Sequence, residues 1–292
     1  MKYIEKNIGK FKMRIKSKEG GIHSDLRKMK VGVTKEREPE LLNTIKEEVK
    51  SGFNVIDLGS NIGYVTLLLS DLVGRKGSVL ALEPEPENFE ILKYNLELNK
   101  IKNTTPFKLA IGDYDGKTNF FIGKSSNLSS IIQSKNSSSK KVEVPCLTLT
   151  SFLKGKKYPN FVKMDVEGAE VEIFKGAYEY FKLNNNGDCL IVLEMHPIFY
   201  TDAHSMEVEF KKFLDIGFNT KYVISAGVPI PELFKKKEYT PYKIFRNRGV
   251  YTNVTNMDML YFSCHQHIQK VPGKKDSTKI VRYVGLFREG PK

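Results

Sequence analysis

No uninterrupted apolar run in this 292-residue chain approaches the ~20 residues of a bilayer-spanning helix; the longest, such as Leu190 to Leu193, have strand length. The first residues, Met1-Lys2-Tyr3-Ile4-Glu5-Lys6, lack the apolar stretch of a secretory signal. Cysteine is scarce. Cys146, Cys189 and Cys264 lie far apart and form no Cys-x-x-Cys pair, which excludes a disulfide framework. Inert core thiols in a reducing, cytoplasmic setting are the expectation. With 22 Gly and 12 Pro, collagen-like and wholly disordered readings fall away, while 18 Phe and 14 Tyr supply ample core material. No internal repeat is visible.

The net charge is +13, and it is unevenly placed. Residues 1–37 hold 12 Lys/Arg against 4 Asp/Glu, and residues 266–292 hold 7 against 2. The stretch between carries no net charge. Two basic ends, residues 1–40 as a lead-in and 266–292 as a tail, are therefore expected around a domain at 41–265. Such ends would meet nucleic acid, an anionic membrane surface or an acidic partner, or would simply keep the chain soluble.

From about residue 40 short apolar runs alternate with helical patterns. Leu41, Leu42, Ile45 and Val49 recur at helical spacing and close at Gly52. Strands are predicted at 53–58, 78–83, 107–111, 161–165 and 189–193, with helices between them, and last strands at 222–224 and 259–262. Continuous apolar strands alternating with amphipathic helices define an α/β fold, a mostly parallel sheet covered on both faces. The segments around 118–122 and 142–147 read as a hairpin. Its tip, residues 125–141, is rich in Ser, Asn and Lys and is expected to be a mobile loop. The connection 225–255, with Pro229, Pro231 and Pro241, is long enough to suggest part of a substrate site.

The first parallel strand ends in Asp57-Leu58-Gly59-Ser60-Asn61-Ile62-Gly63. Open parallel sheets bind ligands at such strand ends, and a Gly-rich turn lets backbone approach a ligand. Glu83 ends the next strand, where a carboxylate can accept two hydrogen bonds from ribose hydroxyls. A dinucleotide would want Gly at the middle of the turn, which here is Asn61, and no Gly-x-x-x-x-Gly-Lys-[Ser/Thr] loop occurs. A ribose without phosphates fits better and points to S-adenosyl-L-methionine.

Asp165 ends a middle strand, and Glu194 and His196 end the next, two apart and so on one side of it. These three should converge on the same rim. One His beside two carboxylates suits a general base, and the same set would suit Mg²⁺. A hydrogen-bonded rim that only orders loops is the plain alternative. Glu167 and Glu170 would sit at a helix start, where the dipole favours carboxylates. His265 and His267 read as exposed polar residues.

These segments appear in an order that resembles the FkbM-type S-adenosylmethionine-dependent methyltransferases: Val55 to Thr66, Ala81-Leu82-Glu83-Pro84, Leu109 to Asp113 and Lys163-Met164-Asp165-Val166-Glu167-Gly168-Ala169-Glu170. Arg37-Glu38-Pro39-Glu40 resembles the family's lead-in to its first helix. The resemblance implies the seven-stranded, doubly wound, Rossmann-like sheet of class I methyltransferases. It also implies methylation of a hydroxyl on a small molecule, sugar or lipid-linked headgroup. It places Asp57, Gly59, Asn61 and Gly63 at the methionine end of the cofactor, with Ser60 in the same loop. Glu83 would hold the ribose, and Ile111, Gly112 and Asp113 would lie near the adenine. Asp165 is expected both among the cofactor contacts and, with Glu194 and His196, in the catalytic rim. Rival readings are a methyltransferase gripping RNA or protein through the basic ends, a non-catalytic binding protein of the same fold, and a nicotinamide-dependent reductase, which Asn61 disfavours.

Overall fold

The computed structural model of the chain describes residues 2–29, 36–123, 129–133, 137–273 and 275–291. It opens with a hairpin, β1 (Tyr3–Ile8) and β2 (Phe11–Lys16), and two helices, α1 (Gly21–Lys28) and α2 (Pro39–Glu48). Strands and helices then alternate as β3 (Asn54–Leu58), α3 (Tyr64–Val73), β4 (Ser78–Leu82), α4 (Pro86–Leu98) and β5 (Thr104–Phe107). Next come β6 (Ala110–Gly112), β7 (Gly116–Gly123), β8 (Ser137–Thr148) and a single turn, α5 (Leu149–Phe152). Alternation resumes with β9 (Phe161–Met164), α6 (Glu170–Leu183), β10 (Cys189–Glu194), α7 (Met206–Asp215) and β11 (Asn219–Ser225). The chain closes with α8 (Glu232–Lys236), β12 (Lys243–Phe245), β13 (Arg248–Tyr251), α9 (Asn256–Cys264) and β14 (Val281–Arg288).

Nine strands form one sheet in the order β12-β13-β11-β14-β10-β9-β3-β4-β5. Every neighbour from β10 to β5 is parallel, whereas β14 runs antiparallel to both β10 and β11. The seven strands from β11 to β5 are the doubly wound, mostly parallel sheet that the alternation implied. All residues of β9 and β10 are buried, which is why Cys189 to Leu193 reads as an unbroken apolar run and β9 is interrupted only by Lys163. Helices α2 and α3 pack Leu41, Ile45, Leu69 and Val73 on one face. Helices α6, α7 and α9 pack the other with Phe174, Phe181, Phe213 and Phe262. Phe174 and Phe213 sit with ring centroids 4.5 Å apart.

Several expectations need correction. Met259 to Phe262 belong to α9, not to a strand; the Thr255 hydroxyl caps that helix by accepting the N–H of Asp258 at 3.1 Å. The last strand is instead β14, inside the stretch expected to be a tail. The basic lead-in is also folded. Asn95 of α4 and Asn99 just after it bond the backbone of Arg14 and Lys12, and Ile8, Met13, Ile15, Ile22 and Leu26 pack with Leu92 and Leu96. Two of its lysines pair with carboxylates: Lys12 with Glu5, and Lys16 with Glu19 and with Glu87 of α4. The expected strand at 107–111 splits, because β5 ends the large sheet and β6 pairs with β8 in a separate three-stranded sheet with β7. The 118–147 hairpin forms as β7 and β8. Of its tip, residues 137–141 belong to β8, while 124–128 and 134–136 lie outside the described residues, as does that part of the loop expectation. The connection 225–255 contains α8 and the β12–β13 pair, which lengthens the sheet to nine strands.

Candidate active site

The pocket at the carboxyl ends of β3, β4 and β9 measures about 930 Å³ including its open mouth. Of the expected cofactor contacts, Gly59, Ser60, Asn61, Glu83, Ile111 and Asp165 line it. The other four do not. Asp57 is wholly buried beneath the turn, accepting from Thr66 Oγ1 at 2.7 Å and lying 3.2 Å from Lys163 Nζ. Gly63 is the residue before α3 and donates to the Ser60 carbonyl at 2.9 Å. Gly112 is buried against the Cys146 thiol, and Asp113 beyond it is exposed.

The turn is held from below by Lys163, fully buried in β9, which donates to the Gly59 carbonyl at 2.9 Å. Burial opposes its charge, but Asp57 and Asp165 outweigh it and hold the ammonium above its ordinary range. A lysine inside a fully buried strand was the one sequence signal for this clamp. Gly59 has φ +73°, and a Cβ there would overlap the Asp165 carbonyl oxygen. Asn61 takes the left-handed φ of +51° that its side chain tolerates. Glu83 accepts the N–H groups of Asn61 at 2.7 Å and Glu85 at 2.9 Å. Burial, then the neighbouring Glu85 carboxylate, pushes it up to about 8.

Asp165, Glu194 and His196 do converge, with one donor atom of each within 4.8 Å of the others. They are not equivalent. Asp165 lines the pocket; Glu194 and His196 stand behind it. Glu194 accepts from Lys279 Nζ at 2.8 Å and lies 3.2 Å from Arg282 Nη2. Despite complete burial, these two cations hold its carboxyl well below the usual range. His196 Nδ1 lies 2.7 Å from Glu170 Oε1, and its Nε2 lies 3.5 Å from Glu167 Oε2. Burial opposes the imidazolium, but the Glu170 carboxylate outweighs it and lifts His196 to about 9. Glu170, at the first position of α6, also accepts the Gly168 N–H and the Tyr200 hydroxyl. It therefore both ties down the turn before the helix and fixes the ring. Glu167 has a left-handed φ of +51° and faces the pocket; burial raises it to about 8 against the pull of His196.

Lys279 on one oxygen of Glu194 and Arg282 on the other occupy that carboxylate, so the cluster fits Mg²⁺ poorly, and the metal expectation is set aside. A cationic organic cofactor fits well. Asp165 Oδ1 is buried with no hydrogen-bond partner among the described residues and belongs to the pocket wall. Replacing Glu170 with Gln is expected to drop His196 from about 9 towards its ordinary value; an NMR titration of the His196 ring proton measures this, and an unmoved midpoint would refute the pairing.

Sequence reasoning also missed His23. It is wholly buried, accepts the Lys16 N–H at 3.1 Å and is driven down to about 4 by burial.

A mostly parallel sheet with a Gly turn after one central strand and a carboxylate after the next is the ribose-binding arrangement of Rossmann-like sheets, the class that includes the S-adenosylmethionine-dependent methyltransferases. Residues 57–220 match the methyltransferase FkbM domain, and the chain belongs to that family. It is 29% identical over 159 residues to a probable cobalt-precorrin-6B C(15)-methyltransferase (decarboxylating) of Sulfurisphaera tokodaii, covering 52% of this chain and 82% of that protein. It is 25% identical over 161 residues to the hexuronic acid methyltransferase AglP of Haloferax volcanii, covering 54% of this chain and 62% of that one. Among solved structures, a precorrin-6y C5,15-methyltransferase of Geobacter metallireducens superposes with a TM-score of 0.42 at 11% identity, over 88% of this chain and 93% of that one. No helix among the described residues is long and apolar enough to cross a membrane.

Proposed function

We propose that this methyltransferase transfers its methyl group to a hydroxyl oxygen of a small, sugar or lipid-linked acceptor, with Glu167 as general base. One observation carries the reading. Glu167 is the pocket-wall carboxylate that burial has raised to about 8, within 3.5 Å of a histidine. An alcohol is a poor nucleophile while protonated, and a base whose pKa lies near working pH removes its proton most effectively. The hexuronic acid methyltransferase among the relatives supports a sugar acceptor.

S-adenosylmethionine supplies a methyl group on a cationic sulfur, an electrophile that needs only an aligned nucleophile. The chain's residues supply the rest. Glu83, at the end of β4, would accept the ribose hydroxyls. The turn from Gly59 to Asn61 would carry the methionine end, and Asp165 would face the cationic part. Glu167 would take the acceptor's proton as the acceptor oxygen takes the methyl group, and the bonding pair released with that methyl would stay on the cofactor's sulfur. His196, fixed by Glu170, holds Glu167 in place and offsets its charge; Glu194, 3.8 Å from Nε2, flanks the ring with a third carboxylate.

Lys12 and Lys16 of the N-terminal hairpin are paired with carboxylates within the fold, which takes these two out of any grip on a polymer. Labelled methyl donor should therefore deliver its label to an oxygen of a glycan, glycolipid or small alcohol. Label recovered in RNA or polypeptide would sink the reading. The pH profile gives a second check. A base must be unprotonated, so kcat/KM should rise with pH and level off above about 8. Glu167→Gln should flatten that rise and cut turnover ~10²–10⁴-fold while cofactor affinity moves little. An unchanged profile would remove Glu167 from the role.

A further inference from the structure

Beside the cofactor pocket, and sharing Arg37 and Glu38 with it, lies a second pocket of about 600 Å³ including its mouth. Four guanidinium groups line it: Arg37 from the lead into α2, Arg246 and Arg248 from the β12–β13 turn, and Arg282 from β14. Three distant parts of the sequence thus deliver arginine to one place. One of them is the long connection that the sequence alone suggested as substrate-binding.

Four carboxylates meet three of these arginines, and the fourth arginine meets none among the described residues. Arg37 donates to Asp25 Oδ2 at 3.2 Å and to Glu38 Oε2 at 3.2 Å. Arg282 reaches Glu38 at 2.7 Å as well as Glu194, and Arg248 pairs with Glu40. Arg246 is exposed, held at a left-handed φ of +52°, and makes no ion pair among the described residues. The Nε atoms of Arg248 and Arg282 are buried with no hydrogen-bond partner among the described residues. The network thus leaves the whole Arg246 guanidinium without a carboxylate, and two buried N–H groups without an acceptor, among the described residues. Burial, then the nearby Arg282, drives Arg248 down to about 10 even with Glu40 beside it.

We propose that this second pocket seats an anionic group of the methyl acceptor, a carboxylate or a phosphate, while the acceptor's hydroxyl reaches Glu167 next door. Guanidinium forks match both anions in two-point geometry. The proposal rests on the reading of the chain as a hydroxyl methyltransferase and narrows its substrates to acidic ones. Arg246 is the recruiting residue, because it alone of the four is free of carboxylate.

The test is calorimetry on the full chain saturated with S-adenosylmethionine, with D-glucuronate, glucose 1-phosphate and glucose as probes. At least one acidic probe should bind ten-fold or more tighter than glucose, and which one does so tells carboxylate from phosphate. Arg246→Gln should weaken that binding at least ten-fold, with cofactor affinity and melting temperature unchanged. Arg246→Lys should restore part of it for the phosphate and less for the carboxylate. Glucose binding as tightly as either acid, no binding of either acid, or an indifferent Arg246→Gln would each overturn the proposal. Because the readout is binding, it separates this idea from the hydroxyl reading: label found in RNA would end the latter, and a silent calorimeter ends the former.

Discussion

Ending the chain before Val281 is expected to abolish folding. Strand β14 is the partner of both β10 and β11, so its loss leaves a gap in the middle of the sheet. Val281, Tyr283, Val284 and Leu286 are each 1% exposed or less. At about 1.5–3 kcal/mol for each buried side chain, the four contribute ~6–12 kcal/mol, against a total stability of ~5–15 kcal/mol for an ordinary domain. Arg288 adds a polar clamp, donating to the carbonyls of Phe181 at 2.7 Å and Asn184 at 2.5 Å and to the Tyr158 hydroxyl at 2.8 Å. Removing it leaves buried carbonyls without donors. The truncated chain should show no cooperative thermal transition by circular dichroism and should be digested by protease under conditions that spare the whole chain. A truncated protein that melts sharply would disprove the account of β14.

Gly59→Val is the second large effect, and it should fall on cofactor binding before stability. A branched side chain at φ +73° costs ~1–3 kcal/mol in backbone strain alone. Here the new Cβ also runs into the Asp165 carbonyl. The turn must lift, which takes the Gly59 carbonyl from Lys163 and displaces Asn61 from Glu83. Affinity for S-adenosylmethionine should fall by ~100-fold or more, about 2.7 kcal/mol, measured by calorimetry. Gly155 supplies the control. It too has a left-handed φ, +71°, but nothing lies near a Cβ built there, so Gly155→Ala reports strain without crowding and should leave binding intact. Wild-type affinity in Gly59→Val would mean that the turn does not touch the cofactor.

Much of this was legible because it is local. The apolar runs of β3, β9 and β10 announce strands covered on both faces, and the Gly59–Gly63 turn follows directly from its composition. Three features were hidden for different physical reasons. The run Met259 to Phe262 has strand length but sits in a helix, and so short an apolar stretch carries no decisive period. The cap formed by Thr255 and Asp258 was the available sign. Counting charge over 266–292 masked β14, whose apolar residues sit between Lys279 and Arg288 and whose pairing partners lie up to 99 positions away. The pairing of His196 with Glu170 spans 26 positions and depends on how α6 meets the end of β10. Glu170 read as a helix-start carboxylate, which it also is. The convergence of Asp165, Glu194 and His196 was predictable from strand ends; the cations that surround Glu194 were not, since Lys279 and Arg282 come from the segment taken for a tail.

The position of β14 also has a consequence during synthesis. Until residue 288 has emerged from the ribosome, β10 and β11 each present an open edge with no permanent neighbour. Unpaired edges of this kind are sites of wrong pairing between chains. Slow translation or crowded expression should therefore harm the yield of this protein more than its final stability suggests, and a chaperone that shields those edges should restore it.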